Sequence, residues 1–217
     1  MSTALPLHPH GNQPLSIWGA PVAEADAVMI LLHGRGATAE GILTLAAAFK
    51  RPDLAYLAPQ AAGSRWYPYR FLEPVARNEP YLSSALQRID EIVADLNDMG
   101  MAADHIILGG FSQGACLAAE YAARHARRWG GLLIFSGGLI GPPGATFDYA
   151  GSLAGTPTFI GCSDTDFHIP LTRVHETTQV LTDLGANVTE RIYPAMDHTI
   201  SEDEIEEAQA VIDQLQK

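Results

Sequence analysis

Only two cysteines, Cys116 and Cys162, occur in 217 residues. They are too few for a disulfide framework and lack the spacing of a structural zinc site. Basic residues are scarce too: 13 Lys and Arg face 25 Asp and Glu, a formal net charge of -12 with the histidines neutral. Such a chain repels phosphate backbones and anionic lipid, which argues against nucleic acid as a partner. No run reaches the ~18 consecutive apolar residues of a membrane span. The opening stretch, MSTALPLHPHGNQPLS, has neither a basic leader nor a long apolar core, so the expected address is the cytoplasm. Internal repeats, low-complexity tracts and interdomain linkers are also missing. The length then suits one domain over 1–217 with a sizeable core, residues 1–15 reading as a flexible N-terminal segment. His8 and His10 fall in that Pro-rich segment, a poor setting for a metal pair, and no metal or organic cofactor is expected.

What is present is an alternation. Short apolar runs at 27–33 (AVMILLH), 54–59 (LAYLAP), 105–111 (HIILGGF), 131–136 (GLLIFS), 156–162 (TPTFIGC) and 187–194 (NVTERIYP) read as strands. Between them lie helical stretches at 38–50, 80–99, 113–126, 170–184 and 202–216. The segment 80–99 is the clearest, with Leu82, Leu86, Ile89, Val93 and Leu96 on one face. The acidic run SEDEIEEAQ at 201–209 suits the first turn of the last helix. Strands and helices in this order predict an α/β fold: a mostly parallel central sheet with helices on both faces, and reactive groups in loops at the C-terminal strand ends. Residues 60–79 are too long for a routine connection and too aromatic for a disordered one, which makes them a candidate substrate-covering loop.

The run IILGGFSQGACLAA sets Ser112 between Gly110 and Gly114, where a strand gives way to a helix. A serine there either caps the helix through its hydroxyl or stands on a strained turn as a nucleophile. The strand-to-helix setting favours the nucleophile, with the N–H of Gln113 as one oxyanion donor. LLHGRGAT at 31–38 ends an earlier strand in glycines and offers the N–H of Arg35 as a second. A serine hydroxyl needs a base and an orienting acid. In this setting the chain order is serine, acid, histidine. His198, in a loop after the last strand, fits the base. His175 lies mid-helix, and His168 comes too early. GCSDTDFHIP at 161–170 supplies both Asp164 and Asp166 as acids, and spacing does not choose between them.

LLHGRGAT, GGFSQGACLA, FSGGL, GCSDTDFHIP and YPAMDHTI, in this order over nearly the whole length, resemble the phospholipase/carboxylesterase family of α/β-hydrolases, relatives of the acyl-protein thioesterases. The resemblance implies the α/β-hydrolase fold and a Ser112–His198–Asp166 triad. Asp166 is chosen because Asp166-Phe167-His168-Ile169-Pro170 matches the family's Asp-x-x-(Val/Ile)-Pro stretch. It implies hydrolysis of a small-molecule ester through an acyl-enzyme, with acyl-thioesterase and lysophospholipase activities as alternatives and a pocket-based ligand receptor as the non-enzymatic one. RWYPYRF at 65–71 departs from the Trp-Phe-Asp run of the thioesterases. That points to the bacterial carboxylesterase branch, with Trp66 and Tyr67 lining the acyl pocket. Cys116, one turn past Ser112, reads as core. A homodimer is compatible with this reading.

Overall fold

The computed structural model describes residues 8–215. Seven strands form one sheet: β1 (Leu15–Gly19), β2 (Ala27–Leu32), β3 (Leu54–Pro59), β4 (Ile106–Phe111), β5 (Gly131–Phe135), β6 (Pro157–Ser163) and β7 (Asn187–Tyr193). Their order is β1-β3-β2-β4-β5-β6-β7, parallel throughout except for β1, which runs antiparallel to β3. Five α-helices connect them: α1 (Ala39–Leu43), α2 (Tyr81–Asp98), α3 (Gln113–Arg124), α4 (Leu171–Asp183) and α5 (Glu202–Ile212).

Apolar residues on both faces of the central strands explain the layering. In β2 every residue is buried: Val28, Ile30 and Leu32 pack into the core beneath α2, α3 and α4, while Ala27, Met29 and Leu31 pack against α1 and α5. Helix α2 buries the five apolar residues whose spacing predicts it. Crossovers leave β2 for β3 on one side and reach β4 on the other, so the chain reverses direction between β2 and β4. A crevice opens there, at the carboxyl ends of the strands.

Two expectations are corrected. The flexible segment over 1–15 falls partly on residues 1–7, which lie outside the described residues, but from His8 onward the chain is folded down. His10 is fully buried. Its Nδ1 accepts from the N–H of Ala62 (3.0 Å), its Nε2–H donates to the carbonyl of Trp66 (3.0 Å), and its backbone N–H donates to Ser84 Oγ. The helix expected over 38–50 ends at Leu43 and tightens into a 3₁₀ turn over Thr44–Ala48. There the Thr44 hydroxyl donates back to the Gly41 carbonyl at 2.7 Å, a bond that bends helices.

His33, also fully buried, accepts from the Ala61 N–H through Nε2 and donates to the Gly34 carbonyl through Nδ1. Burial lowers the pKa of both His10 and His33, and protonation would turn each ring acceptor toward an N–H it now receives. Between the lowered folded pKa and the unfolded value of about 6.5, the unfolded chain binds more protons, so this part of the stability is lost as pH falls below ~6.5. His10→Ala is expected to cost about 2 kcal/mol near pH 7, from buried groups left unpaired. The difference from the parent should shrink toward pH 5, because the parent alone carries the His10 protonation cost. Urea midpoints at both pH values check the magnitude and the sign.

Candidate active site

Ser112 joins β4 to α3 with φ 55° and ψ -117°, a left-handed conformation that costs a non-glycine residue of order 1–3 kcal/mol. Its hydroxyl does not cap α3. The turn closes because its flanking residues lack side chains. A Cβ on Gly110 would sit 2.6 Å from the Gly114 backbone and 2.8 Å from the Leu32 carbonyl, and one on Gly114 would sit 2.0 Å from that carbonyl. Gly114→Ala therefore has to push α3 off β2. It should cost about 3 kcal/mol, the upper end for overpacking, read as a fall in denaturation midpoint.

Ser112 Oγ lies 2.9 Å from His198 Nε2, and His198 Nδ1 lies 2.6 Å from Asp166 Oδ2. The other oxygen of Asp166 accepts the N–H groups of His168 (2.8 Å) and Ile169 (3.0 Å). Burial alone would raise the Asp166 pKa, but these hydrogen bonds and the His198 ring hold it below the usual carboxylate value. Asp164 is used differently: its Oδ1 accepts the Ala195 N–H at 2.8 Å, at the start of the loop that carries His198. The far end of that loop is fixed by a capping box, in which Ser201 Oγ accepts the Glu204 N–H and Glu204 accepts the Ser201 N–H at 2.7 Å. His198 itself packs against the rings of Phe111 and His168, with centroids at 4.9 and 4.8 Å.

A cavity of about 810 Å³ opens over this chain of contacts, walled by Phe71, Phe111, Phe167 and Ile169 among others. Residues 67–71, from the segment singled out as a covering loop, form one side of it. The N–H groups of Arg35 and Gln113 find no protein acceptor among the described residues, and both residues border the cavity beside Ser112. Their side chains brace the wall. Arg35 donates to the carbonyls of Tyr67, Pro68 and Tyr69 at 2.6–3.0 Å. Gln113 accepts from the Trp66 N–H and donates to the Tyr67 carbonyl, both at 2.9 Å.

Tyr67 borders the cavity, whereas Trp66 does not. The Trp66 indole is fully buried, donates to the His33 carbonyl at 2.8 Å and lies between the rings of His10 and His33. An indole N–H needs an acceptor when buried, and here the acceptor lies in the core. Cys116 lies at the cavity floor, and burial pushes its thiol up to about 12. Among the described residues no three His, Cys, Asp or Glu side chains form a metal-binding group, and no helix is long and apolar enough to cross a membrane. The bracing roles of His10, His33 and the Gln113 side chain carry no sequence signal, since each acts across a long chain separation.

The family model described as Phospholipase/Carboxylesterase matches residues 19–216. The chain belongs to the phospholipase/carboxylesterase family. A member of known structure, the phospholipase/carboxylesterase from Dyadobacter fermentans, is 42% identical, superposes with a TM-score of 0.90, and covers 94% of this chain and 97% of its own. Acyl-protein thioesterase 1 of Saccharomyces cerevisiae is 28% identical over 89% of this chain and 94% of its own length. The carboxylesterase of Bacillus cereus shares the fold, with a TM-score of 0.74 at 20% identity, over 94% of this chain and 95% of its own. Membership of the phospholipase/carboxylesterase family supports esterase activity of the serine-hydrolase type.

Proposed function

We propose that the protein is a serine carboxylester hydrolase that works through an acyl-enzyme. The observation that carries this reading is the unbroken run of hydrogen bonds from Ser112 through His198 to Asp166, set against the apolar cavity. His198 Nε2 takes the Ser112 proton as Oγ attacks the ester carbonyl. Asp166 keeps the proton of His198 on Nδ1, so that Nε2 is the free base, and stabilises the imidazolium that forms. The negative charge on the carbonyl oxygen falls to the N–H groups of Arg35 and Gln113, with the N-terminus of α3 adding its partial positive charge. His198 then returns its proton to the leaving alcohol, and water attacks the acyl-enzyme with the same base. Ser112, Gln113 and Arg35 lie at the crevice between β2 and β4, and Asp166 and His198 follow β6 and β7. Four separate loops therefore contribute to one reaction centre.

A thioester is the second reading, favoured by the similarity to the yeast acyl-protein thioesterase. The test is a graded panel of p-nitrophenyl esters beside acyl-thioesters, with a fluorophosphonate probe marking the nucleophile. Ester turnover together with labelling of Ser112 alone supports the proposal. Ligand binding with neither turnover nor labelling would instead favour a pocket receptor.

A further inference from the structure

Besides its histidines, the cavity is bordered by three charged side chains, those of Arg35, Arg70 and Glu73. Two are committed within the protein. Arg35 is spent on three carbonyl oxygens. Glu73 holds Arg77 at 2.7 Å, and the Arg77 guanidinium also lies over the Tyr69 ring. Arg70 differs from both. One terminal nitrogen makes two long contacts, 3.2 Å to the His168 carbonyl and 3.4 Å to that of Phe167, and its remaining N–H groups find no acceptor among the described residues. Six other arginines do hold a carboxylate. Arg35, Arg65, Arg70, Arg127 and Arg128 hold no carboxylate among the described residues, and of these only Arg35, engaged by three carbonyls, and Arg70 border the cavity.

Its position narrows the role. The proton that His198 returns must reach the leaving oxygen, so the alcohol half of an ester lies on the His198 side. Arg70 is held on that side, through the backbone of His168, whose ring meets that of His198 edge-on. A guanidinium presents a planar fork that matches a carboxylate, and a single one balances a monoanion. A phosphate dianion would ask for further cations, and three of the five N–H groups of Arg35 already serve carbonyl oxygens. The surrounding walls, Phe71, Phe167 and Ile169, are apolar.

We propose that Arg70 makes the enzyme select esters whose alcohol half carries a carboxylate. This deepens the esterase reading above and rests on it. The test compares 4-carboxyphenyl butyrate with its neutral isostere 4-carbamoylphenyl butyrate, each rate normalised to its hydroxide-catalysed hydrolysis. Wild type should favour the carboxylate by about tenfold in kcat/KM, the low end for a charge-assisted pair in a partly exposed site. The preference should weaken with added salt. Arg70→Met should bring the ratio toward one and Arg70→Glu should invert it. Both variants lose the same two carbonyl contacts, so only charge separates them. Arg65→Gln, an equal charge change outside the cavity, should keep the wild-type ratio.

A wild-type ratio of one, or equal ratios in the Met and Glu variants, would overturn the proposal. So would a charge preference found only when the carboxylate is moved to the acyl half. Binding of 3-carboxyphenylboronate against 3-carbamoylphenylboronate, followed by calorimetry, separates this proposal from the esterase reading. If no ester is turned over but the charged boronate binds better to wild type than to Arg70→Glu, the anion site stands and the esterase reading falls. If the esters are turned over without a charge preference in rate or binding, the reverse holds.

Discussion

Ser112→Ala is expected to lower kcat on a short-chain ester by about 10⁶-fold, the scale seen when the nucleophile of a serine hydrolase is removed. The substitution is clean. Alanine keeps the Cβ that already stands at this turn, and among the described residues the lost hydroxyl bonds only to His198. Thermal melting should therefore change little while turnover and fluorophosphonate labelling disappear. The competing nucleophiles are poorly placed: Ser136 Oγ is buried without a partner among the described residues, and burial keeps the Cys116 thiol protonated. Labelling at either residue, or a loss of only tenfold, would overturn the assignment of Ser112.

Asp166→Asn is expected to cost about 10⁴-fold in kcat, and the hydrogen bonds around the carboxylate give the reason. Oδ1 receives two backbone N–H groups, from His168 and Ile169. An asparagine will keep its carbonyl oxygen there and turn its NH₂ toward His198. Nδ1 must then accept, the ring proton moves to Nε2, and Ser112 faces a donor instead of a base. Asp164→Asn provides the contrast. Its partner is the Ala195 N–H, which an amide oxygen can still satisfy, so kcat should stay within about tenfold and stability within about 1 kcal/mol. Steady-state kinetics of both variants on one ester decide the matter. An inactive Asp164→Asn beside an active Asp166→Asn would reverse the register.

The ease with which parts of this architecture are read from sequence follows from how local their causes are. Strands β2 to β6 are short apolar runs bounded by glycine, proline or polar residues, and their pattern alone marks them. Strand β1 (LSIWG) does not announce itself, because it pairs on one side only, and Ile17 and Trp18 face solvent at 57% and 50% exposure. No alternation survives in such a strand. At the site, the Ser112 turn is legible because the clash around Gly110 and Gly114 involves neighbours in sequence and the adjacent strand. The choice between Asp164 and Asp166 is not, since two residues of spacing place one carboxylate on the histidine ring and the other on the histidine's loop. Trp66 shows the same limit. Its aromatic surroundings suggest a pocket, but its indole N–H is satisfied by a core carbonyl that only the tertiary fold brings near.

The two clamps on the histidine loop have a consequence for temperature. Between Ala195, held by Asp164, and Ser201, held by Glu204, lie only residues 196–200, with His198 itself bonded to Asp166 and Ser112. A chain that short, pinned at both ends, has few conformations left to lose, and ordering a residue otherwise costs about 1–2 kcal/mol in backbone entropy. That ordering is completed when the protein folds and need not recur at each encounter with substrate. The activation entropy of ester turnover should therefore be small. Loosening either clamp should make it more negative before it alters the stability of the sheet.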